Sequence, residues 1–547
     1  MKIEIKQISS LEKVFLNSTA DFKETDSATA LKGERFSYQV AFNLLEYENS
    51  FADIDISVES KLVKYINIYN VENIPGELTY YREMFGGSDD DYLVKSSGLF
   101  PELLVPCDGI IKIKENMWKA LWFEIVIPQD ILPGDYEIKA NFFNKNENLS
   151  FSKTFNLEII DAVLPKQELK YTNWFHADCL YTYYNVEPLS DRHFEIIYNF
   201  MKTAAEYGMN TILTPIFTPP LDVDVGEERP TIQLVDISYS NGKYTFDFKN
   251  LKKWIDLAQK AGIENFEFAH FFTQWGAEYT PKIIVNGKKK FGWNVKATDE
   301  SYKEFLSEFV PALITFLRDV GVKDNTIFHV SDEPSDKNLE NYKKAKEILS
   351  EYSEDITLID ALSHYELYKE KVVENPVVAT ERIDEFIEKG AENLWAYYCC
   401  AQPINVSNRY FSMPSARNRI LGVQLYKFDI KGFLHWGYNF YYSGRSKRFI
   451  NPYLVTDADG SFPSGDAFIV YPGSDGNALK SLRLFVFNEG LQDLRALTLA
   501  EQLVGKETVI KLIEEKGEIK FAKYTKGAAY LLELRAKINE LIKQNSK

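Results

Sequence analysis

From about residue 170 the chain repeats one pattern: a short apolar run, then a segment with helical spacing. The apolar runs fall at 171–177, 210–216, 265–271, 325–331, 356–361, 376–379, 393–400 and 432–437. Helical patterns separate them at 190–207, 249–261, 301–320, 337–352, 364–371, 382–388 and 413–428, and another follows at 480–504. The first helix shows the basis of the reading. Ser190 can cap it, Phe194, Ile197, Met201 and Ala204 share one face, and Gly208 can end it. Strands alternating with helices predict a parallel sheet with helical crossovers, and eight such units predict a (β/α)8, TIM-like barrel. The fifth and sixth units rest on the shortest helices.

The first 165 residues follow a different period. Short alternating runs recur at Phe36–Phe42, Ile54–Val58, Ile110–Ile113, Trp122–Ile127 and Tyr136–Phe142, separated by turn signals such as Leu132-Pro133-Gly134-Asp135. Many short strands with turns between them predict a β-sandwich. Leu164-Pro165-Lys166 marks the junction. A chain of 547 residues also exceeds what one core organises. The expected fold is therefore multidomain, all-β plus α/β: an N-terminal β-sandwich over 1–165, then a barrel with C-terminal helices over 166–547. Loops 217–248, 272–300 and 438–479 are long and would wall the C-terminal face of the strands, where barrel chemistry sits. The second should hold a hairpin around Asn286-Gly287. The tail 523–547 alternates lysine with Leu and Ile and reads as a helix.

Charge narrows the partners. A formal net charge of -17 with no long basic tract argues against nucleic acid. No run is long and apolar enough for membrane insertion. Cys107, Cys179, Cys399 and Cys400 fit neither a zinc pattern nor a disulfide framework, so reduced thiols in a cytoplasmic setting are expected, with Cys399 and Cys400 packed in the barrel wall. The N-terminal Met-Lys-Ile-Glu-Ile-Lys-Gln-Ile reads as a strand, not a signal peptide. No phosphate-binding loop, nucleophile elbow or metal-helix motif is present, so no cofactor and no metal are expected. Nothing in the sequence sets an oligomeric state. Aromatic residues make up 14% of the chain, enough both to fill large cores and to stack on sugar rings.

The fourth apolar run ends in Thr326-Ile327-Phe328-His329-Val330-Ser331-Asp332-Glu333-Pro334-Ser335. Two adjacent carboxylates close a strand, and a proline stops it. Such acids can cap the following helix. At a barrel strand end they can also act on a glycosidic bond, which needs an acid for the leaving oxygen and stabilisation of an oxocarbenium-like carbon. Adjacent residues cannot easily reach opposite faces of one sugar ring, but they can reach the leaving oxygen and a neighbouring 2-substituent. The pair therefore fits substrate-assisted hydrolysis of a 2-acetamido sugar, in which the acetamido oxygen attacks the anomeric carbon. His329 with Asp332 hints at a metal site, but with only six His in the chain and no second His cluster a structural role fits His329 better.

The segment His329-Val330-Ser331-Asp332-Glu333-Pro334 resembles the catalytic strand of family 123 glycoside hydrolases. Asn173-Trp174-Phe175-His176, Trp395-Ala396-Tyr397 with Cys399-Cys400, Gly432-Phe433-Leu434-His435-Trp436, Gly465-Asp466 and Tyr471-Pro472-Gly473 agree with it, as do Ile127-Pro128 and Pro133-Gly134-Asp135-Tyr136. The resemblance covers both domains and implies a β-sandwich joined to a (β/α)8 barrel. It implies a retaining, substrate-assisted β-N-acetylgalactosaminidase acting on glycolipid-type or related glycans. In it, Asp332 orients the acetamido group and Glu333 is the general acid/base. Residues at the other strand ends are candidates for substrate binding: Trp174, His176, Gln274, Trp275, Tyr397, Trp436 and Asn439. Trp436 could floor the sugar ring, and Tyr397 could donate to the acetamido oxygen. His176, Gln274 and Asn439 could read hydroxyls. Two alternatives stay open: a non-catalytic carbohydrate-binding protein, or a two-carboxylate glycosidase of other sugar specificity with Glu381 or Asp360 as partner. Galactosamine and glucosamine differ by one hydroxyl orientation, which these residues do not decide.

Overall fold

The computed structural model describes residues 1–274, 276–334, 338–352 and 356–546. The chain divides into two compact units. One comprises Met1–Gln167, Pro403–Asp429 and Leu479–Lys547; the other comprises Glu168–Gln402 and Ile430–Ala478. The segments 403–429 and 479–547, grouped with the second domain by sequence alone, thus lie in the first unit.

The first unit carries two mainly antiparallel sheets. One orders the strands Lys2–Ser9, Arg35–Glu46, Lys119–Val126, Ile66–Gly76 and Gly98–Pro106, and Lys480 and Ser481 pair beyond it with Leu104 and Leu103. The other orders Ser27–Lys32, Leu149–Val163, Gly134–Asn144, Phe51–Glu59 and Ile110–Lys114. Alternate residues of both sheets, among them Val40, Phe123, Ile54, Ile113, Phe142 and Leu157, meet in one apolar core. Phe51–Glu59 and Ile110–Lys114 keep the period-2 pattern read from the sequence, with one face buried, whereas Arg35–Glu46 and Lys119–Val126 are buried on both faces. Helix Leu482–Val504 adds buried charge, all of it paired. Arg483 meets Glu102 at 2.6 Å, and Arg419 meets Asp493 at 2.6 Å. The short helix Leu421–Lys427 crosses it where Gly422 faces Gly490. A Cβ at Gly422 would stand 1.8 Å from the Gly490 carbonyl oxygen, so only glycine permits that approach.

The second unit is built on eight parallel strands: β1 (Lys170–Asn173), β2 (Thr211–Thr214), β3 (Asn265–Phe268), β4 (Thr326–Phe328), β5 (Asp360–Leu362), β6 (Pro376–Ala379), β7 (Trp395–Tyr397) and β8 (Gly432–His435). They lie in the order β4-β3-β2-β1-β8-β7-β6-β5. Phe328 also bridges in parallel to Leu358, and the Ile359 N–H donates to the Phe328 carbonyl at 2.9 Å, so the sheet curls until its edges meet. Inside lie Leu213, Ile327, Ile359, Val377, Ala379, Trp395 and Leu434. Gly432 is needed here because a Cβ would stand 2.1 Å from the ring of its cross-strand partner Trp395. Helices Asp191–Glu206, Lys249–Ala261, Glu300–Asp319, Leu339–Ser350, Tyr365–Lys369 and Ile383–Glu388 connect the strands. The first begins as its sequence suggests: the Ser190 hydroxyl accepts from the His193 N–H at 3.3 Å.

Two of the long loops contain hairpins. Ile283–Val285 pairs with Lys288–Phe291 around Asn286-Gly287, as the turn signal indicates, and Asp236–Ser240 pairs with Lys243–Asp247 around Asn241-Gly242. The tail forms helix Ala528–Asn545. Among the described residues no helix is long and apolar enough to cross a membrane.

Candidate active site

The strand β4 ends at Phe328, and the chain beyond it is pinned from two sides, by the segment after β3 and by Asp360 of β5. The Phe271 and Phe272 N–H groups donate to the His329 and Val330 carbonyls, and the Ser331 hydroxyl donates to the Thr273 carbonyl at 2.7 Å. The Val330 N–H donates to Asp360 Oδ2 at 3.3 Å. Asp332 and Glu333 follow this braced segment, so their positions are fixed by the sheet. Glu333 adopts φ +47°, a left-handed conformation that is unfavourable for glutamate and for any residue before proline. Strain of this kind persists where the surroundings over-determine it, most often at functional sites.

Both carboxylates open on one cleft of about 160 Å³, whose walls include Trp174, Gln274, Tyr397 and Trp436. Asp332 is buried at its base, and Glu333 is exposed toward the opening. Gln274 holds Asp332. Its Nε2 donates to Asp332 Oδ2 at 2.8 Å, while its Oε1 accepts the Asp222 N–H at 2.7 Å, which fixes which way the amide faces. Asp222 is anchored in turn, accepting the Arg445 N–H at 2.9 Å. Tyr397 donates its hydroxyl to Glu333 Oε1 at 2.8 Å.

Burial raises the Asp332 carboxyl above its ordinary range, and the neighbouring Glu333 charge adds to this, against the Gln274 hydrogen bond. Glu333 is raised too. Protein surrounds it on most sides even though its surface faces the cleft, and the Tyr397 bond only partly offsets that desolvation. Both shifts favour a pair that retains a proton where isolated carboxylates are fully ionised. A raised acid beside a second carboxylate is a common arrangement for proton donation.

Beneath the cleft a charged layer supports it. His329 lies between Glu267, at 2.7 Å, and Asp360, at 3.2 Å. Burial alone would lower its pKa, but the hydrogen bonds and charges of the two carboxylates push it up to about 10. His329 is thus a buried imidazolium and, as its isolation in the sequence suggested, a structural residue. Glu267 also accepts Trp174 Nε1–H at 2.7 Å, and Tyr342 donates to Asp360. Asp360 is consumed by this network and does not face the cleft. Glu381 sits with Ser363, His364 and Arg382 in a separate pocket. His270, His329 and Asp360 are close enough to suggest a cation site. However, both His329 nitrogens already meet carboxylates, so as an imidazolium it has no lone pair to offer a cation, and its ring stacks on His270 at 4.3 Å.

Of the substrate-binding candidates, Trp174, Gln274, Tyr397 and Trp436 reach the cleft with the two acids. Trp436 is half-buried and held through Nε1–H to Asp466 at 2.8 Å. Trp174 is only 5% exposed and belongs mostly to the core. His176 and Asn439 do not line the cleft. They are buried and bonded to each other's loops: the Asn439 side chain accepts the His176 N–H at 2.8 Å and donates to the His176 carbonyl at 3.0 Å. The His176 ring accepts from Arg229 and donates to the Trp436 carbonyl at 2.9 Å, so it positions Trp436 instead of reading a hydroxyl. Trp275 lies outside the described residues. Cys399 and Cys400 are half-buried and line the cleft, which corrects their expected place in the strand wall. Asp222, Tyr398 and Phe462 also line it and went unrecognised. Asp222 and Phe462 sit in long loops, where no hydrophobic period marks direction; Tyr398 merely continues an apolar run.

No curated protein sequence matches the chain. Its fold is similar to that of a family 123 glycoside hydrolase from Clostridium perfringens whose structure addressed glycolipid glycan hydrolysis. The two are 15% identical, the match covers 99% of this chain and 98% of that one, and the TM-score is 0.75. A β-glucuronidase from Parabacteroides merdae is similar only in broad outline, with 10% identity, 89% of this chain and 51% of that one covered, and a TM-score of 0.31. Residues 174–500, which contain the acid pair and every cleft residue named above, match the glycoside hydrolase 123 catalytic domain, and the chain belongs to that family of glycosidases.

Proposed function

We propose that the protein is a retaining exo-β-N-acetylgalactosaminidase that acts on glycolipid-type or related glycans by substrate-assisted hydrolysis. The scaffold is read as an N-terminal β-sandwich joined to a (β/α)8 barrel. One observation carries the mechanism: the two adjacent carboxylates open on the same cleft, each with its own partner, Gln274 for Asp332 and Tyr397 for Glu333. Asp360 and Glu381, the acids weighed as a second carboxylate across the sugar, do not line that cleft. The nucleophile is then the substrate's own acetamido oxygen.

In this reading Trp436 stacks beneath the terminal sugar. Asp332 accepts the acetamido N–H and stabilises the positive charge that grows as the amide oxygen bonds to the anomeric carbon. The glycosidic bond breaks as Glu333 gives its proton to the leaving oxygen. Glu333, now ionised, takes a proton from water, which opens the oxazolinium ring and restores the original anomeric configuration. The strained backbone at Glu333 holds the acid beside the bond that breaks.

A series of aryl 2-acetamido glycosides with zero to three fluorines on the acetyl methyl tests this. Each fluorine weakens the internal nucleophile, so turnover should fall steeply along the series, and the 2-hydroxy glycoside should hardly react. Equal rates for the 2-hydroxy and 2-acetamido substrates would remove the substrate-assisted reading and require a protein nucleophile. Paired galacto- and gluco-configured substrates decide the sugar preference.

A further inference from the structure

In the proposed reaction the terminal sugar sits in the cleft, and the leaving group lies beyond Glu333, the acid. The strand order shows which side that is. The segment after β3 brings Gln274 to Asp332, and β5 and β6 lie on the opposite side of β4 from β3. Next to them β7 returns to the cleft with Tyr397, which donates to Glu333. The sector beside Glu333 and away from Gln274 is therefore the one at the ends of β5 and β6.

That sector contains a cavity of about 380 Å³, larger than the cleft, lined by residues that include Ser363, His364, Tyr365, Glu381 and Arg382. Ser363 follows β5, and Glu381 and Arg382 follow β6. Two contacts join the cavity to the cleft wall. The Ser363 hydroxyl meets the Tyr397 hydroxyl at 3.4 Å, and Tyr397 in turn bonds Glu333 at 2.8 Å. Glu381 hydrogen-bonds the Gln402 side chain, whose Oε1 accepts the Cys399 N–H at 2.8 Å, and Cys399 lines the cleft. The cavity thus begins two hydrogen bonds from the acid, within the reach of one sugar ring.

Its lining selects among leaving groups. Apolar surface comes from buried Leu367 and the half-buried ring of Tyr365, and the rest is polar. Charges are balanced close by. Glu366 meets Lys369 at 3.4 Å, Glu385 meets Lys389 at 2.8 Å, and Glu381 stands 3.9 Å from Arg382. That last separation is too long for a hydrogen bond, and the two side chains are 39% and 60% exposed. A carboxylate acceptor and guanidinium donors therefore stand side by side with capacity to spare. They suit neighbouring hydroxyls of an uncharged sugar and offer an alkyl chain little surface.

Resting on the hydrolase reading above, we propose that this cavity is the leaving-group subsite and that it takes an uncharged hexose. Glu381 accepts from one hydroxyl of that hexose, and Arg382 donates to its neighbour. The substrate is then a glycan whose terminal acetamido sugar is linked to another sugar, and the enzyme reads the sugar chain, not a lipid tail.

Two substrates with the same β-linked terminal 2-acetamido sugar test this: a disaccharide with a hexose as leaving group, in each of its linkage isomers, and the butyl glycoside. Both leaving groups are weakly acidic alcohols that need the same proton from Glu333, so the difference in kcat/KM reads the cavity. The parent should favour one disaccharide isomer by about tenfold. Glu381→Gln and Arg382→Ala change exposed side chains and should melt like the parent. Each should lower kcat/KM for that disaccharide about two- to tenfold, mainly through KM, with a much smaller effect on the butyl glycoside, which does not reach them. Equal losses on both substrates would overturn the proposal, because the residues would then support the cleft and not a sugar beyond it. So would a parent that cleaves every disaccharide isomer no better than the butyl glycoside, or a disaccharide rate that neither variant moves. The hydrolase reading would stand in all three cases. A hexuronic acid in the hexose position should be cleaved more slowly, and faster cleavage would also overturn the proposal. A parent that cleaves none of these substrates would overturn the hydrolase reading and the subsite with it.

Discussion

The hydrogen bonds to Asp332 and Glu333 act on opposite sides of the same pH profile. Gln274 stabilises the ionised Asp332, so Gln274→Leu raises that carboxyl's pKa further. In the proposed mechanism Asp332 works ionised, so the acid limb of kcat/KM should move to higher pH. Tyr397 stabilises the ionised Glu333, so Tyr397→Phe raises the acid's pKa. In the proposed mechanism Glu333 must be protonated to donate, so the basic limb should move up while the acid limb stays. The pair titrates as a unit, so apparent pKa values belong to both groups. If the two variants shift the same limb, the assignment of roles is wrong. The two tryptophans should also separate. Trp436→Ala is expected to weaken binding of a cleft inhibitor with little change in melting. Trp174→Ala should destabilise the fold by about 3–5 kcal/mol, since its side chain fills the sheet interior. Similar melting losses in both would place Trp436 in the core instead.

At the level of elements, His329 ties three strands together through its two carboxylates. Glu267 belongs to β3, His329 follows β4, and Asp360 begins β5. Its pKa is raised on folding, to about 10. Its contribution to stability is thus fully present below the unfolded value of about 6.5 and is lost as pH rises through about 10. The melting temperature should therefore fall across that window, and His329→Gln should flatten the dependence. The same variant leaves two buried carboxylates without their cation, a loss of about 3–5 kcal/mol at neutral pH. A variant that melts like the parent with an unchanged pH slope would show that the imidazole is neutral. The sequence marked this strand end for its acids and gave no sign of the layer beneath. Glu267 and Asp360 are 93 residues apart and are brought together only by the sheet order.

For the whole molecule, the consequential feature is that the first unit is completed by late segments of the chain. Glu102 is buried against Arg483, and Arg419 is satisfied by Asp493 and Glu489. A fragment of residues 1–165 lacks Arg483 and leaves the Glu102 carboxylate buried without its cation. It should show no cooperative thermal transition, whereas the full chain should. Circular dichroism melting of the two decides it, and a fragment that melts as sharply as the parent would show that the N-terminal sheets fold alone.

Much of this was legible in the sequence because periodicity is a local property. A strand buried on one face must alternate, and a helix lying on a sheet must repeat every three to four residues, wherever the chain goes next. So the eight strands and most of their helices fall within a few residues of the sequence reading, and the Ser190 cap and the Asn286-Gly287 hairpin stand where local chemistry put them. Asp332 and Glu333 stood out in the sequence as two acids ending an apolar strand, and the structure opens both on one cleft. What local pattern cannot encode is which distant residues share a space. His176 and Asn439 look like site residues because they follow strands, but the loops turn them toward each other. Asp222 looks like nothing until its N–H meets Gln274, and Cys399 and Cys400 look like wall until the strand ends and they face the cleft. Those placements depend on loop paths and on long-range pairings, and only the tertiary structure decides them.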